Sequence, residues 1–145
     1  MAPLLEVLLE KPAPYDEEAL FACFDSLAAV EPGQLQGDWS GGLLATGHPG
    51  EGRLAALNWV GKKFVDPNQV YPIIVSTDGG GREISEVMGQ ASLREVKYRG
   101  GVTTAMIYDV HPVIDYFRAF DDDTVLGVMD YKGVPAPLFF YLRRL

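Results

Sequence analysis

Three aspartates in the second half of the chain are the side chains best placed for acid–base chemistry. Asp109, Asp115 and Asp130 each stand in an otherwise apolar segment that predicts a β-strand. Burying a carboxylate in such a strand is costly unless a cation or backbone N–H group stabilises it. One interpretation is an internal ion-pair network, for which the sequence offers four cations: Arg94, Arg99, Arg118 and Lys132. The other is a base, its pKa raised by a dry pocket, that abstracts a proton from a small hydrophobic substrate.

The two histidines differ in their surroundings. His48 lies in the segment TGHP at 46–49, where it could face the mouth of a barrel and hydrogen-bond a ligand head group. Arg99 is a second candidate for binding the head group of a ligand, in this case a carboxylate or a phosphate. His111 also precedes a proline and is interpreted as structural.

Motifs for metal or nucleotide chemistry are missing from the sequence. The acidic triplet 121–123 lacks the spaced ligands and terminal glutamate of an EF-hand loop, so it predicts a solvated turn. The glycine-rich segments lack the lysine and hydroxyl residue of a P-loop, and no nucleophile elbow or dinucleotide fingerprint occurs. We therefore expect no metal site.

The charge balance argues against a nucleic-acid partner. The net charge is −8, and the one local basic cluster, at 94–99, is too small to outweigh it. The single cysteine, Cys23, excludes an internal disulfide and fits a reducing cytoplasm. The apolar N-terminal segment 1–14 lacks a basic region and a cleavage site, and no other run approaches the roughly 18 apolar residues of a membrane span.

The first part of the chain predicts short helices. A length of 145 residues suits one domain, with an arm at 1–14 and the main body at 15–145. Residues 4–10 predict a helix or an extended arm, which two prolines end. Asp16 is positioned to cap a helix whose apolar face recurs at helical spacing as far as Ala28. Residues 53–60 predict another short helix.

The second part predicts strands. From Leu93 to Asp109 the apolar even positions keep one phase across Gly100 and Gly101, which favours one long bulged strand over a hairpin. Strands at 71–76, 113–120, 124–130 and 138–142 complete an antiparallel meander. Sequential strands with short links usually curl into a barrel, because closure removes their free edges.

The segment GDWSGGLLATGHP at 37–49 is the most constrained in the chain. Glycines surround Trp39, and two of them, Gly37 and Gly41, share its strand face. No neighbouring side chain on that face competes with the indole, so Trp39 is expected to be buried and to close one end of a barrel.

This segment is similar to the Gly-X-Trp-X-Gly opening of lipocalin-type barrels and haem-binding nitrobindins. With WVGKKF at 59–64, ASLREVKYRGGVTTAMIYD at 91–109, PVIDYFRAF at 112–120 and LGVMDYKG at 126–133, it resembles the GXWXG family of small bacterial proteins of unknown function. The resemblance covers about residues 15–144. It implies an α+β, mainly β fold: a small antiparallel lipocalin-like barrel with one or two N-terminal helices.

Haem is not expected in this barrel. Nitrobindins ligate iron through a histidine late in the chain, and no histidine follows His111 here. Tyr116 or Met129 could replace it only by a different ligation. We therefore predict no cofactor.

Two functions are compatible with the sequence. The first is a non-catalytic binding protein for a small hydrophobic ligand such as a lipid or fatty acyl chain; a homodimer is also compatible. The second is a cofactor-free isomerase or hydrolase that uses a buried carboxylate. Aromatic, methionine and polar residues of the predicted barrel form the candidate ligand site: Trp39, His48, Trp59, Tyr98, Arg99, Met106, Tyr108 and Phe117.

Overall fold

The protein is described by a computed structural model that covers residues 4–145. The helices among these residues are α1 (Leu5–Leu9), α2 (Glu17–Ser26), α3 (Glu51–Ala56) and one turn of 3₁₀ helix (Pro32–Leu35). The strands are β1 (Ala28–Ala29), β2 (Gly37–Leu44), β3 (Trp59–Asp66), β4 (Gln69–Ser76), β5 (Arg82–Ile84), β6 (Ala91–Tyr98), β7 (Gly101–Tyr108), β8 (Val113–Asp121), β9 (Thr124–Tyr131) and β10 (Leu138–Arg144).

Eight of these strands form a closed antiparallel barrel. The order around the barrel is β8, β7, β6, β4, β3, β2, β10 and β9, and β9 pairs with β8 to close it. The short strands β1 and β5 lie outside this closed order and pair with β8 and β4, respectively. The predicted mainly β, lipocalin-like architecture with short helices is confirmed. In this order β3 and β8 are four strands apart in either direction, so they face each other across the barrel.

Two apolar cores lie on the two faces of the sheet. The core inside the barrel includes Trp39, Phe64, Met106, Phe117 and Phe140. The second core joins α1 and α2 to the outer face and includes Leu5, Leu20, Phe24, Tyr116 and Phe139. Strand β8 contributes its odd residues to the first core and its even residues to the second, and is therefore buried on both faces.

The helical predictions hold at α2 and fail in part at α3. The Asp16 carboxylate accepts a hydrogen bond from the backbone N–H of Ala19 at 3.0 Å, so it caps α2 as expected. Residues 4–10 contain α1, whose Leu5 is fully buried; residues 1–3 of the predicted arm lie outside the described residues. The predicted helix at 53–60 was wrong at its C-terminal half, because α3 ends at Ala56 and Trp59 begins β3.

The predicted long strand at 93–109 was also wrong. The chain reverses at Arg99 and Gly100, whose φ angles are 51° and 83°, and β6 pairs with β7 along its whole length. Two central residues with positive φ are the mark of a type I′ hairpin turn. A two-residue turn puts Leu93 on the same face as Met106, and Tyr98 on the opposite face. The alternative of a hairpin is therefore the correct one.

Trp39 is fully buried in the inner core. Its indole Nε1 donates to the backbone carbonyl of Leu35 at 2.7 Å, and the Arg144 guanidinium lies 4.3 Å from the ring centroid. The space that Gly41 leaves is filled by a different indole, because a Cβ at Gly41 would overlap the Trp59 ring. In the pairing of β2 with β3, Trp39 is opposite Lys62, so the indole and the lysine side chain are neighbours inside the barrel.

Candidate functional site

A cavity of about 720 Å³ occupies the barrel interior. Part of its wall comes from α3 and from the loop residues His48, Met88 and Val134. Most of the rest comes from strand residues, which are mostly apolar or aromatic: Trp59, Lys62, Ile73, Tyr108, Asp115, Met129, Tyr131, Leu138 and Phe140. The wall is therefore mainly apolar, and Lys62 and Asp115 are the charged side chains that the strands contribute to it.

Lys62 and Asp115 form an ion pair across the barrel. Lys62 Nζ lies 3.3 Å from Asp115 Oδ2, and the two side chains are only 3% and 1% exposed. Lys62 comes from β3 and Asp115 from β8, the two strands that face each other across the barrel. The pairing removes the net charge that either residue alone would place in the apolar interior.

A backbone carbonyl also binds the lysine. Pro72 lies in β4, where the pairing with β3 is irregular. Proline donates no ladder hydrogen bond and is tolerated inside sheets at such irregularities. Its carbonyl accepts from Lys62 Nζ at 3.2 Å and from Trp59 Nε1 at 3.3 Å. The carbonyl therefore fixes the position of both side chains.

Three aromatic rings surround the ammonium group. Lys62 Nζ lies 5.1 Å from the Phe140 centroid, 5.5 Å from that of Trp59 and 5.9 Å from that of Tyr108. These distances allow cation–π attraction. They also leave the ammonium with few oxygen atoms around it.

Burial shifts the protonation of the groups on this wall. It lowers the pKa of Lys62, although Asp115 opposes the shift. It raises the pKa of Asp115, which Lys62 opposes. Burial, followed by the charge of Asp115, raises the pKa of Tyr108 well above its usual value, so the phenol keeps its proton at neutral pH. Asp115 Oδ1 is buried, and no hydrogen-bond partner for it exists among residues 4–145.

The ring of Phe140 depends on a glycine in the neighbouring strand. A Cβ at Gly127 would overlap the Phe140 ring. We expect Gly127→Ala to displace this ring, to destabilise the fold by about 1 to 3 kcal/mol through overpacking, and to weaken binding in the cavity. Urea unfolding measures the loss of stability, and titration with an apolar fluorescent dye measures the loss of binding. Gly79→Ala is the control, since a Cβ there meets nothing within 4 Å. Equal stability of the two variants would contradict this account.

His48 lines the cavity, but both ring nitrogens have backbone partners. Nδ1 accepts from the N–H of Gly50 at 2.8 Å, and Nε2 lies 3.0 Å from the carbonyl oxygen of Ala136. The first contact requires the proton on Nε2, which then donates to Ala136. His48 thus ties the 46–50 loop to the loop before β10, and its two ring nitrogens already have partners there.

The candidate ligand residues are divided between the two faces of the sheet. His48, Trp59 and Tyr108 line the cavity. Trp39, Met106 and Phe117 belong to the inner core but do not contribute to the cavity wall.

Tyr98 and Arg99 lie on the other side of the barrel wall. Arg99 forms a bidentate ion pair with Asp25 of α2, with distances of 2.7 and 2.8 Å, and stacks over Phe21. Tyr98 stacks on Tyr116 with ring centroids 3.7 Å apart. Tyr98 and Arg99 were expected in the ligand site, and this expectation was wrong. Because the chain turns back in a hairpin after Tyr98, residues 96 and 98 lie on the opposite face of the sheet from Met106. Arg99 consequently cannot meet a head group in the cavity.

Of the three aspartates, Asp115 alone is buried; Asp109 and Asp130 are exposed. The four expected cations, Arg94, Arg99, Arg118 and Lys132, were wrong, because none of them forms an ion pair with these aspartates among residues 4–145. Arg118 donates to the carbonyls of Phe24 and Asp25 instead. The actual partner of Asp115 is Lys62, a residue of the WVGKKF segment. The sequence did contain a signal that Lys62 faces inward. Lys62 lies two residues before Phe64, and residues two apart in a strand share a face.

Within residues 4–145, no helix is both long and apolar enough to cross a membrane. The same residues contain no group of three or more histidine, cysteine or acidic side chains arranged to hold a metal ion.

Comparison with known proteins relates the chain to a family and to a solved structure. Residues 22–80 match the family described as GXWXG protein, and residues 89–144 match the Domain of unknown function (DUF4334). A crystal structure of a protein from Thermomonospora curvata is 41% identical, covers 90% of this chain and 88% of its own, and superposes with a TM-score of 0.86. Curated proteins give no match. The two matches lie in the order that the motifs predict, and the chain belongs to the GXWXG family.

Proposed function

We propose that the protein binds a small, largely apolar molecule inside its barrel. The observation that carries the proposal is the cavity of about 720 Å³ with predominantly apolar walls. Ligand sites in proteins commonly have volumes of about 300 to 1,000 Å³, apolar linings and a few placed polar groups. Lys62 and Asp115 are the buried charged groups of this cavity. A lipid, a fatty acyl chain or a compound of similar polarity fits this description.

The helix α3 contributes to the route by which such a molecule reaches the cavity. Leu54 and Leu57 line the cavity, while no residue of α3 itself is buried. A helix with few buried contacts opens at low free energy. Displacement of α3 therefore exposes the cavity without unfolding of the barrel.

A cavity-filling variant tests the proposal. Met129 lines the cavity and is only partly buried, so Met129→Trp places an indole in the empty volume. The probe is N-phenyl-1-naphthylamine, an uncharged fluorophore that brightens in apolar surroundings. We expect saturable binding to the wild-type protein and at least about tenfold weaker binding to Met129→Trp, since the indole occupies the space for the probe. The control is Val102→Trp at an exposed position. Equal binding by Met129→Trp and the wild type would overturn the proposal.

A second candidate function is proton transfer by Asp115. It is favoured by one observation: this aspartate combines burial, a raised pKa and a place in the cavity wall. A carbon-bound proton of the substrate would pass to Oδ1, and Lys62 would stabilise the developing enolate oxygen. Asp115→Asn distinguishes the two functions, because a folded variant that binds the substrate without converting it indicates catalysis. Location in the cytoplasm and assembly as a homodimer stay predictions from the sequence.

A further inference from the structure

The Lys62–Asp115 pair is the polar recognition element of the cavity, since these two are the buried charged residues of its wall. Two other buried side chains of the wall carry polar atoms. His48 has both ring nitrogens occupied by backbone groups, and Tyr108 places its neutral phenol ring 5.9 Å from Lys62 Nζ, beside the same pair. Lys62 and Asp115 are therefore the charged groups that a polar part of a bound molecule meets in the interior. The chemistry of the pair limits which group that is.

Hydrogen-bond capacity is the first limit. Asp115 Oδ2 contacts Lys62, but Asp115 Oδ1 has no partner among residues 4–145. The ammonium has three N–H bonds. Pro72 O and Asp115 Oδ2 lie close enough to take two of them, and the other neighbours of Nζ are the aromatic rings. The pair thus offers one free acceptor beside one free donor.

Charge is the second limit. The pair is neutral as a whole, so it does not compensate a ligand charge of either sign. A carboxylate would face Asp115 and an ammonium would face Lys62 in a medium where like charges repel strongly. A neutral group is therefore preferred to either ion.

We propose that the cavity takes an apolar molecule that carries a hydroxyl group, which donates to Asp115 Oδ1 and accepts from Lys62 Nζ. A hydroxyl combines one donor with acceptor lone pairs on a single atom. A hydroxyl therefore matches the free acceptor, Asp115 Oδ1, and the free N–H of Lys62. The carboxylate and the ammonium are close neighbours, with Nζ 3.3 Å from Oδ2. An ether or a ketone only accepts, and leaves Oδ1 unsatisfied. The inference rests on the proposed function and names the class of its ligand: long-chain, terpenoid or similarly apolar alcohols.

Matched ligands test the inference on the wild-type protein. The probes are 1-decanol, its methyl ether, decane, decanoate and decylammonium, each competing with N-phenyl-1-naphthylamine. We expect decanol to bind about ten- to a hundredfold more tightly than the ether, because a hydrogen bond to a charged group is lost and a buried oxygen stays unpaired. Decanoate and decylammonium are expected to bind more weakly than decanol.

The variant Lys62→Met/Asp115→Val supplies the matched control, since it removes both members of the pair together. We expect it to bind decanol and the ether equally well. A preference for the alcohol that persists in the double variant would overturn the inference. So would equal wild-type affinities for all uncharged probes, or tightest binding of decanoate, while both results would leave the apolar binding function standing. Failure of every probe to bind would overturn that function, and this inference with it.

Discussion

Trp39→Ala is expected to destabilise the protein by roughly 3 to 5 kcal/mol. The indole is fully buried, and truncating a buried tryptophan removes its transfer free energy and leaves a cavity. The variant also removes the donor to Leu35 O and the ring that stacks with Arg144. Because small domains are stable by only about 5 to 15 kcal/mol, this loss is a large share of the total. Urea unfolding measures it.

Trp39→Phe separates ring packing from the indole hydrogen bond. It keeps an aromatic ring at the position and should lose clearly less stability than Trp39→Ala. If Trp39→Ala instead unfolds like the wild type while binding of the naphthylamine probe weakens, the indole is part of the ligand site and its structural role is refuted. Retained probe binding in the folded fraction of the variant supports the structural role.

Lys62→Met and Asp115→Val, introduced singly, should each destabilise the protein by about 3 to 5 kcal/mol, because each leaves one buried charge uncompensated. In Lys62→Met, the Asp115 carboxyl loses its cation, and its folded-state pKa rises further above its unfolded value. The native state then retains a proton that the unfolded state releases. The stability of this variant should therefore fall as pH rises through and above the unfolded-state pKa of about 4, and be lower near pH 8 than near pH 5.

The double variant Lys62→Met/Asp115→Val should recover most of that loss. It replaces both charges by apolar side chains, a change that is often neutral or stabilising for a buried ion pair. Urea unfolding of the four proteins gives the coupling free energy between the two sites. If the two single losses simply add in the double variant, the residues are not energetically paired, contrary to the short distance between them.

Much of the fold could be predicted from the sequence, because the short-range signals for helices, strands and turns indicate the same elements that the tertiary structure contains. Asp16 followed by two glutamates indicates a helix start whether or not the barrel forms, and α2 begins there. The strands from Val113 onward are likewise bounded by turn residues. The hairpin at Arg99 was harder, because its second positive-φ position is a glycine that also suits a bulge. The alternation of apolar residues continues on both sides of this glycine, so the local sequence does not distinguish a bulged strand from a hairpin. Which of the two forms depends on how the strands pair in the folded barrel.

The candidate site could be predicted only in part, because its central pair, Lys62 and Asp115, joins strands that are far apart in the sequence. The spacing of Asp115 among apolar residues marked it as costly to bury, but nothing local identified its partner. Lys62 stands beside a second lysine, and Lys63 does reach the surface, where its Nζ lies 3.8 Å from Asp38 Oδ1. Only closure of the barrel places Lys62 and Asp115 opposite each other.

The placement of one charge on each of two opposed strands also bears on strand register. Strand β8 has apolar side chains on both faces, so a slip by one residue would still place Ile114, Tyr116 and Phe120 inside the barrel, together with Arg118. Such a slip would turn Asp115 outward and present Ile114 or Tyr116 to Lys62, so the ammonium would be left inside without a counter-ion. We infer that the pair discriminates against slipped arrangements even where its net contribution to the free energy of unfolding is near zero. The pair then specifies which barrel forms, a role separate from how stable that barrel is.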